Sequence, residues 1–183
     1  MNVESLAIAD VKLLTPKKFG DHRGFFAETY SRKILTDAGF HDEFVQDNQS
    51  LSREQGVLRG LHFQLPPFAQ AKLVRVIRGA ILDVAVDIRR SSPTFGKHVS
   101  AEITADNFRQ ILVPAGFAHG FVTLTPDTEV VYKVTNYYSP AHDRGILFND
   151  PALAINWRLP ESAAILSDKD RKHPVLAQAT DLF

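Results

Sequence analysis

The chain contains no cysteine in 183 residues. That excludes a disulfide scaffold, a thiolate metal site and a cysteine nucleophile. Long apolar runs are absent too. No stretch approaches the roughly 18 residues of a membrane-spanning helix, and Met1 to Ile8 lacks the basic-then-apolar layout of a signal peptide. The expected setting is therefore the cytoplasm, with no membrane partner. An excess of one charge is also missing: Lys+Arg number 21 and Asp+Glu 21. With no basic run, a nucleic-acid polymer is not an expected partner. Repeats, low-complexity tracts and linker-like stretches are absent as well, so residues 1–183 read as one domain of a length that buries a substantial core.

Helical periodicity is scarce. Ser31 to Ala38 is the best helix, with Ser31 as N-cap and Gly39 as its stop, and a second short helix is expected near Glu161 to Leu166. Alternating and β-branched runs fill much of the remainder. Strands are predicted at Phe25–Tyr30, Phe44–Asp47, Val57–Phe63, Lys72–Ile77, Ile81–Ile88, Val99–Thr104, Gln110–Val113, Phe121–Leu124 and Thr128–Val134. In the fifth of these, Leu82, Val84, Val86 and Ile88 share one face. Many short strands with turn residues between them pack as an antiparallel sandwich or barrel, and a jelly roll is the expected arrangement. A doubly wound sheet is disfavoured, because helices do not alternate with strands and no Gly-rich phosphate loop follows one. The barrel core is expected at about 44–135, with N-terminal strands and a C-terminal segment packed on it.

Chemistry-bearing residues concentrate in VLRGLHFQ (57–64), AQAKLVRVIRG (69–79) and VPAGFAHGFVTL (113–124). Pro114, Gly116 and His119 fit the P-x-G-x-x-H half of a cupin pattern, and Lys72 precedes Gly79 at the spacing of the cupin glutamate to its glycine. The resemblance departs at the metal: Gln64 replaces a histidine ligand and Lys72 replaces the carboxylate. Two histidines alone make a weak zinc site, so no metal and no cofactor is expected. Cationic and donor groups in a shielded pocket instead stabilise developing negative charge, and a histidine with a carboxylate partner makes a general base.

Longer motifs carry a closer resemblance. GDHRGFFAETY (20–30), FVQDNQS (44–50), VLRGLHFQ, AKLVRVIRGAILDVAVDIRRSSPTFGK (71–97), PAGFAHGF (114–121), VVYKVTNYYSP (130–140) and LSDKD (166–170) resemble the dTDP-4-dehydrorhamnose 3,5-epimerases across about Phe19 to Asp170. The resemblance implies an all-β, cupin-type jelly roll with a few short helices, usually a homodimer. It also implies an isomerase of dTDP-L-rhamnose biosynthesis that converts dTDP-4-keto-6-deoxy-D-glucose to dTDP-4-keto-L-rhamnose without cofactor or metal. It further implies His62 as base, Asp170 as its carboxylate partner, Tyr132 as proton donor, and Lys72 at the C4 oxyanion with His119 nearby at the sugar. Gln46, Asp47, Asn48, Arg23 and Arg59 match contacts to the nucleotide and diphosphate. Glu28 matches a contact at the thymine end, reached across the dimer along with Arg23 and Phe19. Tyr138, Asp143 and Lys169 match further substrate contacts, although the family often has Glu at the position of Asp143.

Alternatives within and beyond this class are a single-site C3 or C5 epimerase of another deoxysugar pathway, a metal-dependent cupin enzyme, and a non-catalytic sugar-nucleotide binding module. Glycosidase chemistry is unattractive, because two opposed acids are lacking near the proposed site. Arg59 and His62 have opposite parity in a regular strand and would face opposite sides. Their joint use predicts a bulge or bend at Gly60, or Arg59 at the barrel mouth. His22, His41, His98, His142 and His173, together with Lys17, Lys18, Arg89 and Arg90, read as surface groups without a partner pattern.

Overall fold

The computed structural model covers residues 1–183. Its strands are β1 (Asn2–Ser5), β2 (Lys12–Thr15), β3 (Lys18–Asp21), β4 (Gly24–Ala27), β5 (Gln46–Ser52), β6 (Leu58–Gln64), β7 (Lys72–Arg78), β8 (Ala80–Asp87), β9 (His98–Thr104), β10 (Gln110–Val113), β11 (Phe117–Thr123), β12 (Thr128–Val134) and β13 (Asp143–Gly145). The one α-helix is α1 (Arg32–Asp37). Ser31 caps it by accepting from the Ile34 amide, and Gly39 follows with φ +90°, so both end signals act as the sequence predicts. The second expected helix is only a 3₁₀ turn, Glu161–Ala163.

Two antiparallel sheets face each other. One is six-stranded, in the order β1-β2-β10-β7-β12-β5, and the other five-stranded, in the order β13-β6-β11-β8-β9. From β5 to β13 the chain changes sheet at every connection except that between β8 and β9, which is the connectivity of a jelly roll. The strands β3 and β4 form a separate hairpin. The predicted strand at Phe25–Tyr30 is therefore shorter and ends at Ala27, whereas β11 starts at Phe117, ahead of the predicted Phe121.

Period-2 alternation builds two cores from one sheet. Ile81 and Ala85 of β8 point between the sheets, where they meet Val74, Val76, Ile111, Phe117, Phe121 and Val130. Leu82, Val84, Val86 and Ile88 point the other way, onto Ile146, Phe148, Leu153, Trp157 and Leu176 of the C-terminal segment. The segment after β13 thus covers the outer face of the five-stranded sheet and carries Asp170 back to β6. Arg89 is a correction to the surface reading. Its guanidinium holds buried Asp87 through two hydrogen bonds of 2.9 and 2.7 Å, reaches Asp10 at 2.8 Å, and lies over the Phe117 ring.

Candidate active site

A cavity of about 490 Å³ opens between the sheets. His62 on β6 and His119 on β11 reach it from the five-stranded sheet; Lys72 on β7, Tyr132 on β12 and Ser50 on β5 reach it from the six-stranded sheet. Arg59, Ser167, Lys169 and Asp170 complete its polar wall. Residues 108 positions apart, His62 and Asp170, meet only because the C-terminal segment folds back.

The bulge expected at Gly60 is present. Against β6, the register of β11 runs His119↔His62 and then Phe121↔Arg59, so Gly120 lies opposite both Gly60 and Leu61. The extra residue restores parity, and Arg59 and His62 line one cavity. Gly60 has φ +131°, and a Cβ there would lie 2.5 Å from the Gly120 Cα and 2.8 Å from the His119 oxygen. Only glycine fits that crossing. The Arg59 side chain is solvent-exposed at the mouth, 3.4 Å from the Ser52 hydroxyl.

His62 donates from Nε2 to Asp170 Oδ1 at 2.6 Å, which leaves Nδ1 as the basic nitrogen. Burial lowers the His62 pKa below 6.5; the Asp170 bond opposes this, and the Lys72 and Lys169 charges add to it. Burial pushes the Asp170 carboxyl up, but the His173 and His62 imidazoles and the Ser167 hydroxyl outweigh it and hold the group well below the usual carboxylate range. Burial brings the Lys72 ammonium down from 10.5 to about 8, with Asp143 and Asp83 acting in the opposite direction. The Tyr132 hydroxyl is pushed up by burial, against the Arg59 charge, and stays protonated at neutral pH. A neutral base on one sheet therefore faces a protonated phenol and an ammonium on the other.

His119 lies in mid-strand, directly across the ladder from His62, and donates from Nε2 to both oxygens of fully buried Asp83 at 2.9 Å. Asp83 carried no signal in the sequence, because its partner is 36 positions away on another strand. Lys169 and the Tyr138 hydroxyl, the latter at 2.9 Å, both pair with Asp143 at the β13 edge. The Tyr138 side chain is otherwise exposed and does not line the cavity.

Gln64, read as the replacement of a metal ligand, is buried and fully engaged by backbone. It donates to the Phe68 and Tyr137 carbonyls at 2.7 and 3.1 Å and accepts from the Ser139 amide at 2.7 Å. The side chains gathered closely enough to hold an ion are His62, Asp170 and His173. Lys72 and Lys169 already oppose positive charge on His62, and that field opposes a divalent cation in the same way.

The nucleotide-contact residues separate. Gln46 donates to Asn48 at 2.8 Å, and Asn48 pairs in register with Tyr132. Asp47 alternates to the other face of β5, where it binds Lys133 at 2.8 Å, so the three residues do not act on one surface. Phe19, Arg23 and Glu28 belong to the β3–β4 hairpin and the chain just after it, and none lines this cavity. Arg23 pairs with Asp21 at the hairpin tip, and Glu28 is exposed. Among the histidines read as surface groups, His22 and His41 are exposed. His142 binds the Ser139 hydroxyl at 2.8 Å, and His173 is a correction: it is nine-tenths buried beside Asp170.

Comparison with known proteins finds relatives over nearly the whole chain. The family model described as dTDP-4-dehydrorhamnose 3,5-epimerase covers residues 5–178. The Sinorhizobium fredii dTDP-4-dehydrorhamnose 3,5-epimerase is 55% identical, over 97% of this chain and 91% of its own. The Bacillus anthracis enzyme of the same name, solved with TDP and PPi bound, is 54% identical with a TM-score of 0.91, covering 95% of this chain and 98% of that one. The dTDP-6-deoxy-D-glucose-3,5-epimerase of Legionella pneumophila, solved with dTDP-4-keto-L-rhamnose, is 45% identical with a TM-score of 0.92, covering 97% and 93%. With the family model and these relatives spanning nearly its whole length, the chain belongs to the dTDP-4-dehydrorhamnose 3,5-epimerase family.

Proposed function

We propose that this protein inverts C3 and C5 of dTDP-4-keto-6-deoxy-D-glucose, giving dTDP-4-keto-L-rhamnose, with His62 as base, Tyr132 as acid and Lys72 at the C4 oxygen. The observation that carries the residue roles is the opposition of His62, bound to Asp170 at 2.6 Å, to Lys72 and Tyr132 across one cavity. C3 and C5 both flank the C4 ketone, so each α-proton is acidified by the same carbonyl. His62 Nδ1 takes the proton, and the electron pair moves into the enolate, whose oxygen is met by the Lys72 ammonium. Tyr132 returns a proton to the opposite face of the carbon, and the configuration inverts. A base and an acid on facing sheets suit inversion, which needs removal from one side and delivery to the other. No redox equivalent is consumed, because the ketone is regenerated.

Arg59 at the mouth, with Gln46 and Asn48 on β5, is positioned to meet the nucleotide diphosphate; the Arg fork pairs phosphate oxygens two at a time. Arg23, Phe19 and Glu28 serve the site of a partner subunit in a homodimer. Their absence from the cavity of their own chain supports this reading, as do the exposed Phe19, Phe25 and Phe26 side chains of the hairpin.

The test is turnover in deuterium oxide, read by NMR of the 4-keto sugar. Deuterium is expected at both C3 and C5, unaffected by excess chelator. Label at one carbon alone makes the enzyme a single-site epimerase, and chelator-sensitive turnover overturns the metal-free mechanism.

A further inference from the structure

His173 takes part in none of the roles above, yet it is built into the site. Its side chain is 10% exposed and its Nε2 lies 3.6 Å from Asp170 Oδ1. That separation suits an ion pair and exceeds a hydrogen bond. The buried Nε2 has no hydrogen-bond partner. The ring stands edge-on to His62 at 77°, with centroids 5.6 Å apart. Asp170 Oδ1 is also the oxygen to which His62 donates, so two imidazoles converge on one carboxylate oxygen.

The floor under His173 is Gly145, which lies opposite His62 in the β13–β6 ladder. A Cβ at Gly145 would come within 2.3 Å of Nε2 and 2.5 Å of Cδ2 and Cε1 of that ring. Bare backbone at this point admits the imidazole beside the carboxylate. A purely packing role is a poor account of it. An apolar ring would fill the same floor without stranding a buried nitrogen, which costs about 1–3 kcal/mol.

We propose that His173 is a positioning residue for proton transfer: its Nε2, at ion-pair distance from the Asp170 oxygen that holds His62, sets how strongly that carboxylate draws on the base. A carboxylate oxygen whose charge is partly offset by a second imidazole edge is a weaker acceptor for the first, so it stabilises the His62 imidazolium less. His62 then stays neutral and ready to accept a proton near neutral pH. The inference rests on His62 being the base. The other groups facing the pair are Lys72 from β7, Lys169 from the C-terminal segment, His119 with Asp83 from β11 and β8, Arg59 on β6, Tyr132 on β12, and Asp143 on β13. All of them remain in place when His173 alone is changed.

His173→Phe keeps a ring over Gly145 and removes both nitrogens. The acid limb of kcat/KM is expected to move to higher pH by on the order of half a unit, with KM nearly unchanged. A fall in kcat with the acid limb in place shows a structural role and overturns the proposal. A second measurement needs no turnover: ¹⁵N-histidine NMR titration of His62 in the wild-type and His173→Phe proteins. The His62 midpoint is expected to lie higher in the variant. An unchanged His62 midpoint overturns the proposal. If the midpoint moves but His62→Ala retains turnover, the shared carboxylate stands and only the assignment of the base falls.

Discussion

Lys72 sets the conflict between stability and chemistry at the residue scale. Its pKa falls from 10.5 to about 8 on folding, through burial. Between those values the unfolded chain binds more protons than the folded one, so the contribution to stability rises with pH from about 8 to 10.5. Below pH 8 the folded protein carries the full cost of the buried charge, on the order of 3 kcal/mol. Lys72→Met is therefore expected to raise the urea midpoint at pH 7 while lowering kcat by 100-fold or more, on the order of an oxyanion-stabilising group. A variant that loses activity without gaining stability speaks against the buried-cation reading. The same pKa predicts the pH profile of kcat/KM. Activity needs His62 neutral and Lys72 charged, so it falls on the acid side below the ordinary histidine value of 6.5 and on the alkaline side near pH 8. A profile that stays flat through pH 9 removes the ammonium from the mechanism. His62, Tyr132, Lys72 and Asp170 were legible because each sits in a motif. Asp83 and His173 were not, because the partners that give them meaning are 36 and 3 positions away with no local periodicity to mark them.

At the scale of the element, strand type was legible and strand ends were not. β7, β8, β9, β10 and β12 are β-branched or alternating runs, and their predicted spans agree closely with the structure. The start of β11 was hidden because Pro114 and Gly116 read as a turn that ends later than it does. The end of β5 was missed: the strand was expected to stop at Asp47 and runs to Ser52, since QDNQS is polar on both faces and has no apolar alternation to show its register. Its pairing with β12 over the whole length of β5 imposes the strand. The irregularity at Gly60 could be deduced because function demanded two residues of opposite parity on one face. Gly60→Ala tests it. The added methyl would overlap the Gly120 Cα and the His119 carbonyl at a positive φ, so β6 and β11 must separate. A loss of roughly 2–4 kcal/mol in urea unfolding is expected, with a disproportionate fall in kcat because His62 and His119 are displaced together. Wild-type stability and kcat in this variant would mean that the bulge does not set the position of the base.

For the molecule as a whole, zero net charge hides a sorted distribution. Arg59, Lys72 and Lys169 converge on one cavity, and their balancing acids include Asp170, Asp143 and Asp83 within or behind its wall. A second asymmetry concerns the β3–β4 hairpin. Phe19, Phe25 and Phe26 are 53%, 59% and 66% exposed, a cost in apolar surface that a second subunit would remove. If the hairpin completes the partner's site, Arg23 and His62 of one chain never act on the same substrate. Arg23→Ala and His62→Ala proteins should then complement each other. After denaturation together and refolding at equal amounts, half the dimers are mixed. In each mixed dimer one site carries both lesions and the other carries neither, so about a quarter of wild-type activity should return from two inactive parents. If Arg23 acts within its own chain, every site keeps one lesion and the mixture stays inactive. Sedimentation of the same mixture separates the two parts of the idea: a dimer without complementation leaves the interface standing but assigns Arg23 to its own subunit, and a monomer removes both.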